Sequence, residues 1–153
     1  MILTFLKNFA ILSIAATSVS LAYADVGGSP NDLLQTSNAV LTKLDNGQFA
    51  DVWGGMAGFA KKTIAPDQFN AQIAQVRRSL GQATKRDWKM ILRIAVDGSQ
   101  NIPSGLYANV FYVTTLATGQ PIEERLSFRL DEDGRWRLTG YIPAAINESA
   151  PEK

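Results

Sequence analysis

The hydrophobic period of this chain changes at Gly81, and that change limits the folds open to it. Beyond Gly81, Trp88, Met90, Leu92, Ile94 and Val96 alternate with Asp87, Lys89, Ile91, Arg93 and Ala95. A period of two predicts a strand with one apolar face. Gly105 to Leu116 carries Tyr, Val, Phe and Thr at both phases, which predicts a central strand covered on two sides. Ile122, Leu126, Phe128 and Leu130 set against Glu123, Arg125, Ser127 and Arg129 give a third strand. Trp136, Leu138 and Ile142 set against Arg135, Arg137 and Tyr141 give a fourth. Thr118-Gly119-Gln120 and Asp131-Glu132-Asp133-Gly134 are hairpin-length turns, so these strands pair with their sequence neighbours.

Before Gly81 the period is helical. Leu33, Leu34, Val40, Leu41 and Leu44 share one face of a helix from Asp32 to about Leu44, which Asn46-Gly47 ends. A second helix is expected from Phe49 toward Lys62 with Trp53, Met56 and Phe59 inward, although Gly54, Gly55 and Gly58 weaken it. Pro66 opens a third, in which Phe69, Ile73, Val76 and Leu80 fall at spacings of four, three and four. Helices followed by an antiparallel meander predict an α+β domain, with helices packed on a curved four-stranded sheet. The order resembles the cone-shaped domain of the nuclear transport factor 2-like, or cystatin-like, superfamily, which includes ketosteroid isomerase.

The first residues bear on compartment. Lys7 precedes an apolar run from Phe9 to Leu21, and Ala22-Tyr23-Ala24 has the small-x-small pattern of a signal peptidase site. Residues 1–24 are expected to be a signal peptide, cleaved before Asp25. The run is shorter than the about 17 to 25 residues of a membrane span. Residues 25–31 read as a flexible lead-in, 32–146 as a single domain and 147–153 as a tail. The Asn147-Glu148-Ser149 sequon is tail composition. The expected location is the periplasm, or the cell exterior.

Composition removes several function classes. The chain has no His and no Cys, the residues that most often carry nucleophilic, general-base and transition-metal chemistry. No disulfide is therefore possible. Loss of Lys7 with the leader leaves 14 basic residues against 14 acidic ones, a poor balance for binding nucleic acid. No cofactor or metal is expected. The Asp131-Glu132-Asp133-Gly134 carboxylates invite a calcium reading, but a tight hairpin lacks the length of a calcium loop.

A specific family resemblance rests on an ordered set of residues. It begins with Asp45-Asn46-Gly47-Gln48-Phe49, Trp53, Phe59, Arg77, Leu80-Gly81 and Arg86. It continues through Pro103, Gly105 with Tyr107, Tyr112 with Thr114, and Glu124 with Leu126, and closes on Gly134 through Tyr141. In these the chain resembles the domain-of-unknown-function 4019 family of exported bacterial proteins, from about Val40 to Ile142. That resemblance implies a fold and export, and no activity.

The candidate site centres on Glu124, which shares the apolar phase of its strand and so needs a partner. Arg77 or Arg86 is expected to supply it, with Tyr112 nearby. The cluster reads either as a ligand grip at the mouth of a cone or, preferably, as an ion pair pinning helix to sheet. Isomerase-like chemistry would need a carboxylate base and a Tyr donor, for which Glu124, Asp45, Tyr107, Tyr112 and Tyr141 supply the residue types without a distinctive spacing. A second candidate is a basic outer row of Arg125, Arg129, Arg135 and Arg137 beside an exposed Tyr141, read as a solvated face or as a docking surface. Trp53, Trp88 and Trp136 are expected in the core. Two functions survive. The first is a non-catalytic binding or adaptor protein for a protein or envelope component; the second is a small-molecule pocket lined by Phe111, Tyr112, Glu124 and Trp136.

Overall fold

A computed structural model of the chain describes residues 29–99 and 101–146. The leader, most of the lead-in and the tail sequon lie outside the described residues. Helix α1 runs Pro30–Asp45, α2 Phe49–Gly54, α3 Gly58–Lys61 and α4 Pro66–Leu80. Strands β1 (Ala83–Val96), β2 (Gly105–Leu116), β3 (Pro121–Leu130) and β4 (Trp136–Ala145) follow. They form one antiparallel sheet in sequence order. The α+β class and the helix-then-meander order expected from periodicity are both present.

Local chemistry accounts for the helix ends. Ser29 and Asp32 form a capping box at the start of α1, with Pro30 in the first turn where its missing N–H costs nothing. Leu33, Ser37, Leu41 and Leu44 are the buried face. The helix expected from Phe49 to Lys62 is broken in two. Between α2 and α3 the chain turns extended, and the Ala57 N–H donates to the Leu138 carbonyl at 2.9 Å beside a Met56–Leu138 bridge. Part of the free edge of β4 is covered in this way.

The core lies between the helices and one face of the sheet. Leu106, Ala108, Val110 and Tyr112 of β2 and Ile122, Leu126 and Phe128 of β3 are buried there, with Leu33, Leu41, Leu44 and Val52 above them. β2 is central, yet only its inner face is covered by another layer. Its outer residues, including Phe111 and Val113, are only half-buried, against the expectation of cover on both sides, although Tyr107 meets the ring of Phe59 from α3 edge-on at 6.3 Å.

Two bulges rewrite the expected faces. In β1 the register slips between Trp88 and Met90, so Ile91 lies opposite Val110 on the inner face and Met90 opposite Phe111 on the outer one. Met90, Leu92 and Ile94 are therefore exposed, and so is Trp88, at 58%. The expected apolar stripe of β1 is not a core stripe. Of the three tryptophans, Trp136 is buried, Trp53 packs half-buried against the core and donates its indole N–H to the Ile64 carbonyl at 3.2 Å, and Trp88, opposite Tyr112 in the inner phase, is exposed. In β4 the slip leaves Thr139 unpaired, since Gly140 pairs with Ser127 and Leu138 with Phe128. Tyr141 then joins Leu126 on the inner face, and Ile142 turns outward.

Candidate functional site

The one buried carboxylate among the described residues is Glu124, and it is fully engaged. It lies opposite Tyr112 on β2 and Pro143 on β4. Its Oε1 accepts from Tyr141 Oη at 2.7 Å and Arg77 Nη1 at 3.1 Å, and its Oε2 accepts from Arg86 Nε at 2.6 Å and from the Thr114 hydroxyl. A carboxylate has about four lone-pair sites, and those four donors use them, with a fifth, longer bond of 3.4 Å from Arg86 Nη2 to Oε1. Arg77 also donates to Tyr141 Oη at 2.9 Å. Asp45 closes the ring, accepting from Arg77 and from both terminal nitrogens of Arg86. Two cations thus meet two anions, and the group ties α1, α4 and all four strands together.

Each member is placed by local structure. Asp45 is the last residue of α1, just before Gly47, whose φ of 70° lets the chain leave the helix. Arg77 stands in the last turn of α4, where a cation suits the negative end of the helix. Arg86 precedes the β1 bulge and pairs with Thr114, and Tyr141 arrives through the β4 bulge.

Electrostatics make the cluster a locked tie. Burial alone would push the Glu124 carboxyl up, but hydrogen bonds from Arg86, Thr114 and Tyr141 and the Arg86 charge hold it below the ordinary 4.5. Burial opposes the Arg86 charge, yet Asp45 and Glu124 raise the guanidinium above its ordinary value. Burial, then the Glu124 charge, push the Tyr141 phenol up, so it stays protonated and donates. A general base near neutrality needs the opposite shift and a free lone pair.

Glu124, Arg77, Arg86 and Tyr141 are therefore one group, as are Glu124 and Asp45. Tyr112 is a neighbour rather than a member. Its hydroxyl lies 2.5 Å from Ser37 Oγ and donates to Asn38 Oδ1 at 3.0 Å, fastening β2 to α1. Tyr141, expected among arginines on the outer face, sits instead inside the cluster because Gly140 accompanies a bulge; a glycine inside a strand pattern is the signal that could have revealed it. Phe111 points to the outer face while Tyr112, Glu124 and Trp136 belong to the inner one, so those four do not line a common pocket.

The outer arginine row is also not an open stripe. Arg129 is 9% exposed and donates to Asp131 at 2.7 Å, Glu132 at 2.9 Å and the Ser104 carbonyl at 3.1 Å. Arg137 pairs with Asp131 and Asp133. The three hairpin carboxylates are thus engaged by these two guanidiniums. The buried Nε atoms of Arg125 and Arg129 both lack a hydrogen-bond partner among the described residues.

An open cleft of about 580 Å³ adjoins the cluster at its exposed end, between the close of α1 and that of α4, with Asp45, Asn46, Arg77, Arg78 and Gln82 in its walls. Asp45 and Arg77 in those walls belong to the ion network, whereas Asn46, Arg78 and Gln82 lie outside it. On the other side of the sheet Met90, Leu92, Ile94 and Ile142 are each more than 40% exposed.

Fold and cluster together define a small α+β domain of helices on an open four-stranded antiparallel sheet, tied by an internal ion network. The sequence profile of a protein family of unknown function, the domain-of-unknown-function 4019 family, matches residues 36–141, and the chain belongs to that family. A solved structure from Catenulispora acidiphila is similar at 15% identity and a TM-score of 0.50, covering 88% of this chain and 99% of that one. The solved structure of Aln2 from a Streptomyces species is similar at 14% identity and a TM-score of 0.48, covering 77% and 93%. No curated protein matches the chain.

Proposed function

We propose that this is an exported, non-catalytic binding or adaptor domain of the bacterial envelope that works through the outer face of its sheet. One contrast carries the reading: every acceptor of the buried carboxylate is taken, whereas Met90, Leu92, Ile94 and Ile142 stand exposed on the outer face of the sheet. Exposed apolar clusters of this kind are where protein partners dock. Export is supported by the apolar run from Phe9 to Leu21 ahead of Ala22-Tyr23-Ala24, and no helix among the described residues is long and apolar enough to cross a membrane.

The test is crosslinking in the cell. A photoreactive residue in place of Phe111 on the outer face is expected to capture a protein, and one in place of Asp51 on α2 is not. Intact mass of the captured species is expected to show a chain beginning at Asp25. Capture from the helical side only, or an uncleaved leader in the cytoplasm, would overturn the reading.

A further inference from the structure

Two helices end side by side at the exposed end of the ion network, and the chain leaves each through a glycine in the left-handed region, Gly47 at φ 70° and Gly81 at φ 79°. A Cβ on either would meet nothing within 4 Å, so the backbone at both exits borders open space. That space is the cleft of about 580 Å³. Small-molecule sites occupy clefts of roughly 300 to 1,000 Å³, with an apolar floor and a few converging polar groups. Leu44, Phe49, Ala74 and Ala83 supply the apolar part, and the short side chains of the two alanines leave room above it. None of the lining residues comes from β2, β3 or β4, so the cleft is a feature of the helix ends rather than of the sheet.

The charges bordering it do not cancel. Arg77 and Arg86 are matched by Asp45 and Glu124, two cations against two anions. Arg78 is left over. It is exposed in the last turn of α4 and has no partner among the described residues, and the same holds for the side chains of Asn46 and Gln82. The negative ends of α1 and α4 favour a cation here, and Arg78 already supplies it. One free guanidinium and two free amides thus border an apolar floor that includes an aromatic ring.

We propose that this cleft binds a small organic carboxylate with an apolar or aromatic body, its head on Arg78 and its body over Phe49. A guanidinium takes a carboxylate through two parallel hydrogen bonds, and the Asn46 and Gln82 amides can donate to the lone pairs that remain. One unmatched positive charge calls for one negative charge. A phosphate monoester, at about −1.5 to −2, brings more than the cleft balances. A cationic ligand would meet Arg78 with no free carboxylate to offset it, because both Asp45 oxygens already accept from Arg77 and Arg86. The cleft is separate from the outer face of the sheet, so this site stands or falls independently of the docking reading.

Nuclear magnetic resonance of the purified protein, titrated with phenylacetate, phenylacetamide, phenethylamine and phenyl phosphate in turn, tests the proposal. Phenylacetate is expected to shift the Gly47 and Gly81 amide signals saturably, and phenylacetamide to bind about 10-fold more weakly or worse. Phenethylamine is expected to leave both signals in place, and phenyl phosphate to bind no more tightly than phenylacetate. Arg78→Gln, at an exposed position, is expected to weaken phenylacetate by about 10-fold while the rest of the spectrum is unchanged. Ala74→Leu, which fills the floor, is expected to abolish the shifts. The absence of a saturable shift with phenylacetate, equal binding of the amide or the amine, tighter binding of phenyl phosphate, or wild-type affinity in either variant would overturn the proposal.

Discussion

The two faces of the sheet treat charge and apolar surface in opposite ways. On the inner face, charges are taken inside and every one is matched: Glu124 is completely buried, yet it is surrounded by donors from four other residues. On the outer face, apolar side chains are left outside and unmatched, from Met90 to Ile142. A buried ion network contributes less net stability than its contacts suggest, because desolvation offsets the attraction. What it contributes is a defined arrangement, since only one packing of α1 and α4 on the sheet satisfies all its members. Exposed apolar surface contributes nothing to the isolated fold. It gains value only when something covers it.

The largest expected effect breaks the inner face. Glu124→Gln leaves two partly buried guanidiniums with one carboxylate between them, and is expected to lower stability by about 3 kcal/mol in urea denaturation. An unchanged midpoint would show that the cluster is not a tie. Next comes Arg129→Ala, at the far end of the same strand. Reading Arg129 as solvated would make this nearly silent, but its burial against Asp131 and Glu132 makes a loss of about 1 to 3 kcal/mol the expected outcome.

Titration sharpens the comparison without mutation. Glu124 is held below its ordinary 4.5, so its contribution is fully present above that value and is lost as pH falls through the lower folded-state value. Tyr141 is shifted the other way. Its contribution is present below its ordinary 10.0 and is lost as pH rises beyond it. Melting curves across the pH range are expected to show both flanks, and Tyr141→Phe is expected to remove part of the alkaline one at a cost of about 1 kcal/mol at neutrality. The smallest effect belongs to the outer face. Leu92→Lys is expected to change stability by less than about 0.5 kcal/mol, and a large loss would mean that Leu92 is part of the core.

Much of this was legible in the sequence, and what was not has a common cause. The period change at Gly81, the Pro66 start of α4 and the two hairpin turns gave the element order. Glu124 stood out as a carboxylate in an apolar phase, and Arg77 and Arg86 were its expected partners. Asp45 was less visible, because nothing in its spacing to Glu124 reveals that the close of a helix returns to the sheet. The faces of β1 and β4 were misread because strict alternation assumes a register without slips. One unpaired residue at Thr139 exchanged Tyr141 for Ile142, and one at Lys89 split the apolar stripe of β1. Both errors hid the outer face, since they assigned its apolar side chains to the core.

The central claim is that the buried carboxylate is a closed structural tie rather than an available base. Carbon-detected nuclear magnetic resonance of the Glu124 side-chain carboxyl across an acid titration tests it most directly. The account expects the group to remain ionised until the pH is below 4.5. A midpoint above that value would reveal an unsatisfied, base-like carboxylate and contradict the account.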